Sequence, residues 1–197
     1  MKPTSNSPGD IPIILFEQQK EWADWLDQHH AESAGVWLRL AKKASGIQSV
    51  SYEEALEVAL SYGWIDGQKK SYDDTSWLQK FTPRGAKSIW SKINVEKAQR
   101  LIASGQMKPA GLQAVEAAKR DGRWEAAYDS PGRATVPDDF QAALDNHAEA
   151  KAFFATLNGA NRYAILWRIQ TAKNAETRAR RIQQFIEMLA KGEKLHP

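Results

Sequence analysis

The sequence predicts an α+β protein: a small antiparallel sheet with packed helices, followed by an all-helical C-terminal module. Two observations carry this. Strand-like runs occur only up to Pro83, mixed with helical ones, and from Pro137 onward apolar residues recur at helical spacing alone. The gaps between the strand-like runs are also too irregular for repeated βαβ units.

The elements follow in order. Residues 1–10 read as a disordered tail. IPIILF (11–16) is short, apolar and β-branched, and predicts a strand. Trp22, Trp25, Leu26 and His29 recur at helical spacing, giving a helix over about 17–30. In GVWLRLAKK, from Gly35, the residues Val36, Leu38 and Leu40 alternate with Trp37, Arg39 and Ala41, which is the period of a strand. Ser51 and Glu54 have the spacing of a capping box, in which hydroxyl and carboxylate each accept from a free helix-end amide. The helix behind them ends at Gly63, a residue suited to the left-handed stop. Residues 64–84 contain two strand-like runs around the polar SYDDTS, a hairpin whose second strand stops by Pro83. A helix is predicted from Asn94, as N-cap, to about Ser104, and another from Pro109.

Gly122, Pro131, Gly132 and Pro137 interrupt any helical period, so 121–136 is expected to be an irregular connection. It separates an α+β domain over 11–120 from a helical module over 137–195. Four helices are expected there, marked by Phe140 and Leu144; Phe153, Phe154 and Leu157; Tyr163 to Ile169; and Ile182 to Leu189.

Composition excludes several classes of function. The chain has 197 residues, eight tryptophans and no cysteine, so disulfides, thiolate metal sites and cysteine nucleophiles are ruled out. The four histidines, His29, His30, His147 and His196, are not spaced as paired ligands on one helix face. No metal and no cofactor is expected. No stretch approaches the ~20 apolar residues of a membrane span, and the first residues lack the apolar core of a secretory signal. No membrane insertion and a cytoplasmic location are the resulting expectations. The net charge of +3 is uneven: residues 64–100 and 160–197 carry an excess of cations, and the stretches before each carry an excess of carboxylates.

No phosphate-cradling glycine loop or nucleophile elbow is present. Chemistry-bearing residues concentrate in 62–94: Trp64, Asp66, Thr82, Arg84, Ser88, Trp90, Ser91 and Asn94. Pairing of the hairpin would bring Asp66 beside Arg84 at its open end. A guanidinium, hydroxyls and a helix N-terminus there would make an anion pocket. A plain cross-strand ion pair, with Ser91 or Asn94 only capping a helix, is the simpler alternative.

YGWIDG at 62–67, FTPRGAKSIWSKIN at 81–94 and GQMKPAGL at 105–112 resemble the YdeI/OmpD-associated, or bacteriocin-protection, family. VPDDFQAALDNHAEAKAFFATL and AKNAETRARRI resemble that family's small helical module, and the resemblance spans roughly 12–195. It departs at Tyr62, where a small or apolar residue is expected, and at Gly85, where a second arginine is common; the latter weakens the case for a two-arginine clamp. The family implies a link to envelope stress or antimicrobial-peptide tolerance, and no agreed reaction.

Three readings follow. The leading one is a binding or interaction protein with an anion-tolerant cleft at the hairpin, taking an anionic small molecule or a protein partner. The second is a small hydrolase or transferase with Asp66 as general base and Arg84 as electrostatic stabiliser. The third is nucleic-acid binding through the basic zones. It is disfavoured because Lys173, Arg178, Arg180 and Arg181 form no single stripe and no aromatics interleave with them.

Overall fold

The computed structural model describes residues 11–197, so the expected tail over 1–10 lies outside the described residues. Eight helices and a four-stranded sheet are present among them. The chain divides into two units: residues up to 89 with 94–125, and residues 90–93 with 126–197.

In the first unit, β1 (Ile13–Ile14), α1 (Gln19–His29), β2 (Val36–Ala41), α2 (Tyr52–Ser61), β3 (Trp64–Ser71) and β4 (Ser76–Pro83) follow one another. The helices α3 (Lys92–Ala103) and α4 (Pro109–Arg120) come next, and the division between the units falls at the start of α3. The sheet order is β1-β2-β4-β3. The hairpin β3–β4 is antiparallel, as is β4 against β2. β1 departs from the expected antiparallel sheet: it runs parallel to β2, pairing Ile13 with Trp37 and Ile14 with Leu38. The cause is α1, a helical crossover that returns the chain to the end of the sheet where β1 began.

One sheet face carries Val36, Leu38, Leu40, Phe81 and Trp64, all buried. Trp22 of α1 lies against it, with its ring centroid 5.8 Å from that of Phe81 and 6.3 Å from that of Trp64. Its indole Nε1 donates to the Ala55 carbonyl of α2 at 3.0 Å, so this large core side chain also satisfies its one polar atom. The Ser51–Glu54 capping box forms as read: Ser51 Oγ accepts from the Glu54 amide and the Glu54 carboxylate accepts from the Ser51 amide at 2.9 Å. Gly63 ends α2 with φ +73°, and a Cβ there would lie 2.8 Å from the Ala110 carbonyl oxygen. This close approach seats α2 on α4.

Asn94 does not cap α3. The helix begins two residues earlier, and Asn94 is buried within its first turn. A parallel bridge between Ser91 and Tyr128 sets the start: the Tyr128 amide donates to the Trp90 carbonyl and the Lys92 amide to the Tyr128 carbonyl. The partner for a helix-end amide thus comes from far along the chain, where no local pattern records it.

The second unit contains α5 (Asp138–Asp145), α6 (Ala148–Thr156), α7 (Gly159–Gln170) and α8 (Ala175–Ala190). Phe140, Leu144, Phe154, Ile165, Ile169, Phe185, Ile186 and Leu189 form its core. Asn158 and Asn174 cap α7 and α8 by accepting from the amides three residues on. Arg178 of α8 donates two bonds to the Asp139 carboxylate, at 2.6 and 2.8 Å, and one to the Ile169 carbonyl. Those bonds hold the Asp139 carboxyl below the usual carboxylate range.

Candidate functional site

At the hairpin's open end Asp66 and Arg84 do not come together as expected. The register pairs Trp64 with Pro83, Ile65 with Thr82 and Asp66 with Phe81. Asp66 therefore shares the helix-covered face with Trp64 and Phe81, and the alternation puts Thr82 and then Arg84 on the other face. The Asp66 carboxylate accepts from the Tyr52 hydroxyl at 2.8 Å, while Arg84 Nη1 donates to the Ile89 carbonyl at 3.2 Å. Asp66 and Arg84 are neither an ion pair nor two walls of one pocket.

The remaining residues of that set have structural neighbours. Trp64 is buried and donates to the His30 carbonyl. Ser88 Oγ accepts from the Gly85 amide, and the Ser88 carbonyl from Arg123. Trp90 is buried, Ser91 sits in the bridge to Tyr128, and both fall in the second unit.

A different site lies at the closed end of the same hairpin. A cavity of about 800 Å³ is lined by the loop after β2, the first residues of α2 and the strands flanking the hairpin turn. Its wall holds four lysines, Lys42, Lys43, Lys69 and Lys70, and two aromatic rings, Tyr52 and Trp77. Leu40, Ala41, Ile47 and Val50 supply apolar surface, and no carboxylate belongs to the lining. The volume falls within the range of small-molecule sites, roughly 300–1,000 Å³.

Local structure explains why these residues meet. A β-bulge between Asp66 and Lys69 shifts the pairing, so that Lys69 faces Gln79 and Lys70 faces Leu78. The Gln79 side-chain amide plugs the bulge, donating to the Gly67 and Gln68 carbonyls at 2.9 and 3.3 Å. One extra residue in a strand exchanges the faces of every side chain beyond it. Lys69 is thereby placed over the Trp77 ring, its Nζ 4.3 Å from the centroid, while the Lys70 side chain turns to the other sheet face, over Trp37 at 4.5 Å. The Tyr52 and Trp77 centroids lie 6.2 Å apart.

On the other side, Lys42 donates its ammonium to the Asp73 and Asp74 carbonyls, tying the loop after β2 to the hairpin turn. The loop reverses through Ala44, φ +66°, and Gly46, φ +71°. A non-glycine residue in the left-handed region is sparsely populated and is held there by its surroundings.

The turn itself is organised by Asp73, which accepts from Ser76 Oγ at 2.7 Å, the Thr75 amide and hydroxyl at 2.9 Å, and Arg39 at 2.9 Å. The Ser76 hydroxyl is the leading reason that its carboxyl is pulled down to about 2 from an ordinary 3.8. A depressed folded-state value means that the contribution is complete above the unfolded value and lost as pH falls from about 4 toward 2. Urea midpoints of Asp73→Asn should accordingly vary less across that window than those of the parent. Parallel curves would refute this role.

Comparison with known proteins places both units. Residues 14–114 match the model of a Domain of unknown function (DUF8412), which spans just over half of the chain. The chain belongs to this family. Residues 133–192, which contain α5 to α8, match the family described as Bacteriocin-protection, YdeI or OmpD-Associated. The resemblance seen in the sequence is thus shown for the helical module. The motifs at 62–67, 81–94 and 105–112, and every residue lining the lysine cavity, lie in the DUF8412 stretch. No curated protein and no solved structure gives a significant match. Among the described residues no helix is long and apolar enough to cross a membrane, and no group of His, Asp or Glu is placed to hold a metal ion.

Proposed function

We propose that the protein is a binding protein whose DUF8412 unit takes an anionic small molecule at the closed end of the β3–β4 hairpin. The observation that carries this reading is the placing of Lys42, Lys43 and Lys69 around a cavity whose lining has no carboxylate. Like charges gathered on a wall that exposes no carboxylate raise the local concentration of an oppositely charged ligand. The apolar and aromatic floor gives such a ligand a surface to desolvate against.

Hydrolysis by Asp66 and Arg84 lacks this support, because Asp66 is engaged by Tyr52 and lies on the opposite face from Arg84. A role in bacteriocin protection is supported by the description of the family that the helical module matches. The same reading keeps the protein in the cytoplasm, with ligand capture serving tolerance of envelope stress.

Calorimetric titration with inorganic pyrophosphate tests the proposal. The parent protein should bind, with an affinity that falls as salt is raised. Lys43→Glu combined with Lys69→Glu should weaken binding at least about tenfold, near 1.4 kcal/mol. Arg84→Ala should leave it unchanged. Absence of binding by the parent, or a loss produced by Arg84→Ala and not by the lysine variant, would overturn the assignment.

A further inference from the structure

We infer that the lysine cavity takes a nucleotide, with an aromatic base against Trp77 and Tyr52 and two or more phosphates on the lysines. This rests on the anion-binding reading above and adds the ligand's class.

The argument starts from the wall. A site for a bare inorganic anion needs donors and charge, yet this one sets two aromatic rings, 6.2 Å apart, among its lysines. Every base has a π-face, and aromatic side chains between cations are the recurring way in which proteins hold one. The charges are lysines throughout, point charges on flexible stems that can follow a phosphate chain. Lys42, Lys43 and Lys69 together exceed the charge of a single phosphate, and suit a ligand carrying two.

Lys69 joins the two halves. Its ammonium lies 4.3 Å from the Trp77 centroid. A charge-assisted bond to phosphate is stronger than an exposed cation–ring contact, so a bound phosphate would draw the ammonium off the indole and open that face to a base. Ser45 and Ser71 add hydroxyls to the same wall for the sugar. The cavity of about 800 Å³ has room for a base, a sugar and a short phosphate chain.

The experiment titrates the full chain with ADP, inorganic pyrophosphate, adenosine and an oligothymidylate of about ten nucleotides. ADP should bind at least about tenfold more tightly than pyrophosphate or adenosine. Trp77→Leu should lower ADP affinity to that of pyrophosphate and leave pyrophosphate binding as it was. Should Trp77→Leu fail to fold, the four titrations of the parent decide alone. Equal affinity for ADP and pyrophosphate would overturn the nucleotide assignment while leaving the anion site standing. Adenosine binding as tightly as ADP would overturn it too. If no phosphate compound binds, both readings fall. An oligothymidylate held more than about tenfold tighter than ADP would replace the nucleotide with single-stranded nucleic acid.

Discussion

Trp22→Ala is expected to destabilise the protein by about 3–5 kcal/mol, the range for truncating a fully buried aromatic. Trp22 is fully buried, and its ring lies within 6.3 Å, centroid to centroid, of those of Phe16, Trp25, Trp64 and Phe81. Truncation would leave a cavity bounded by the sheet and both flanking helices, which rigid elements cannot collapse to fill. It would also leave the buried Ala55 carbonyl without its indole donor. Trp22→Phe keeps most of the packing and loses only that bond, so its cost should be clearly smaller. Urea unfolding of the full chain, followed by far-UV circular dichroism, measures both. A loss below about 1 kcal/mol for Trp22→Ala would show that the aromatic cluster is not the keystone of the first unit.

Gly111→Ala should destabilise the protein by roughly 1–3 kcal/mol, the range for overpacking, although glycine-to-alanine inside a helix ordinarily stabilises by about 0.5–1 kcal/mol. The reversal has a geometric cause. A Cβ on Gly111 would overlap the Ser61 carbonyl oxygen and Met107 Sδ, and would lie 2.9 Å from the Ser61 carbonyl carbon. Met107 could yield, being flexible. Ser61 could not, because its carbonyl is the end of α2 and accepts from the Lys108 amide at 3.0 Å. Relief therefore requires α4 to move away from α2. Gly159→Ala is the matched control: it is the first residue of α7, and an added Cβ meets nothing within 4 Å. That variant should be neutral or more stable. Equal effects at the two positions would show that the α2–α4 approach is not close enough to matter.

The cation cluster was half legible. An excess of positive charge over 64–100 and a hairpin turning at SYDDTS were plain in the sequence, and both belong to the cavity. The choice of end was not. Asp66 and Arg84 were expected to meet because they are nearly equidistant from the turn. The bulge next to Asp66 breaks that symmetry, and the alternation of a strand then separates them by a whole sheet thickness. Lys42 and Lys43 gave no sign of belonging with Lys69 and Lys70, since they sit in a stretch where carboxylates outnumber cations. They arrive at the site only because β2 pairs with β4 and ends beside the hairpin turn.

The sequence by itself determined whatever closes within a few residues. The Ser51–Glu54 box, the stop at Gly63, the start at Pro109, the hairpin and the four amphipathic helices of the C-terminal module all rest on contacts three or four positions apart or on a periodic apolar face. Their physical causes are written in adjacent letters, and the resemblance that marked the helical module draws on the same local runs. Only the tertiary structure decided the parallel pairing of β1, the burial of Asn94 within α3 rather than at its cap, and the meeting of Lys42, Lys43 and Lys69 with Tyr52 and Trp77. Each depends on a partner 24 residues or more away, as with Ile13 and Trp37 or the Lys92 amide and the Tyr128 carbonyl. Such partners are selected by how apolar faces are buried together, and local propensity carries no record of that choice.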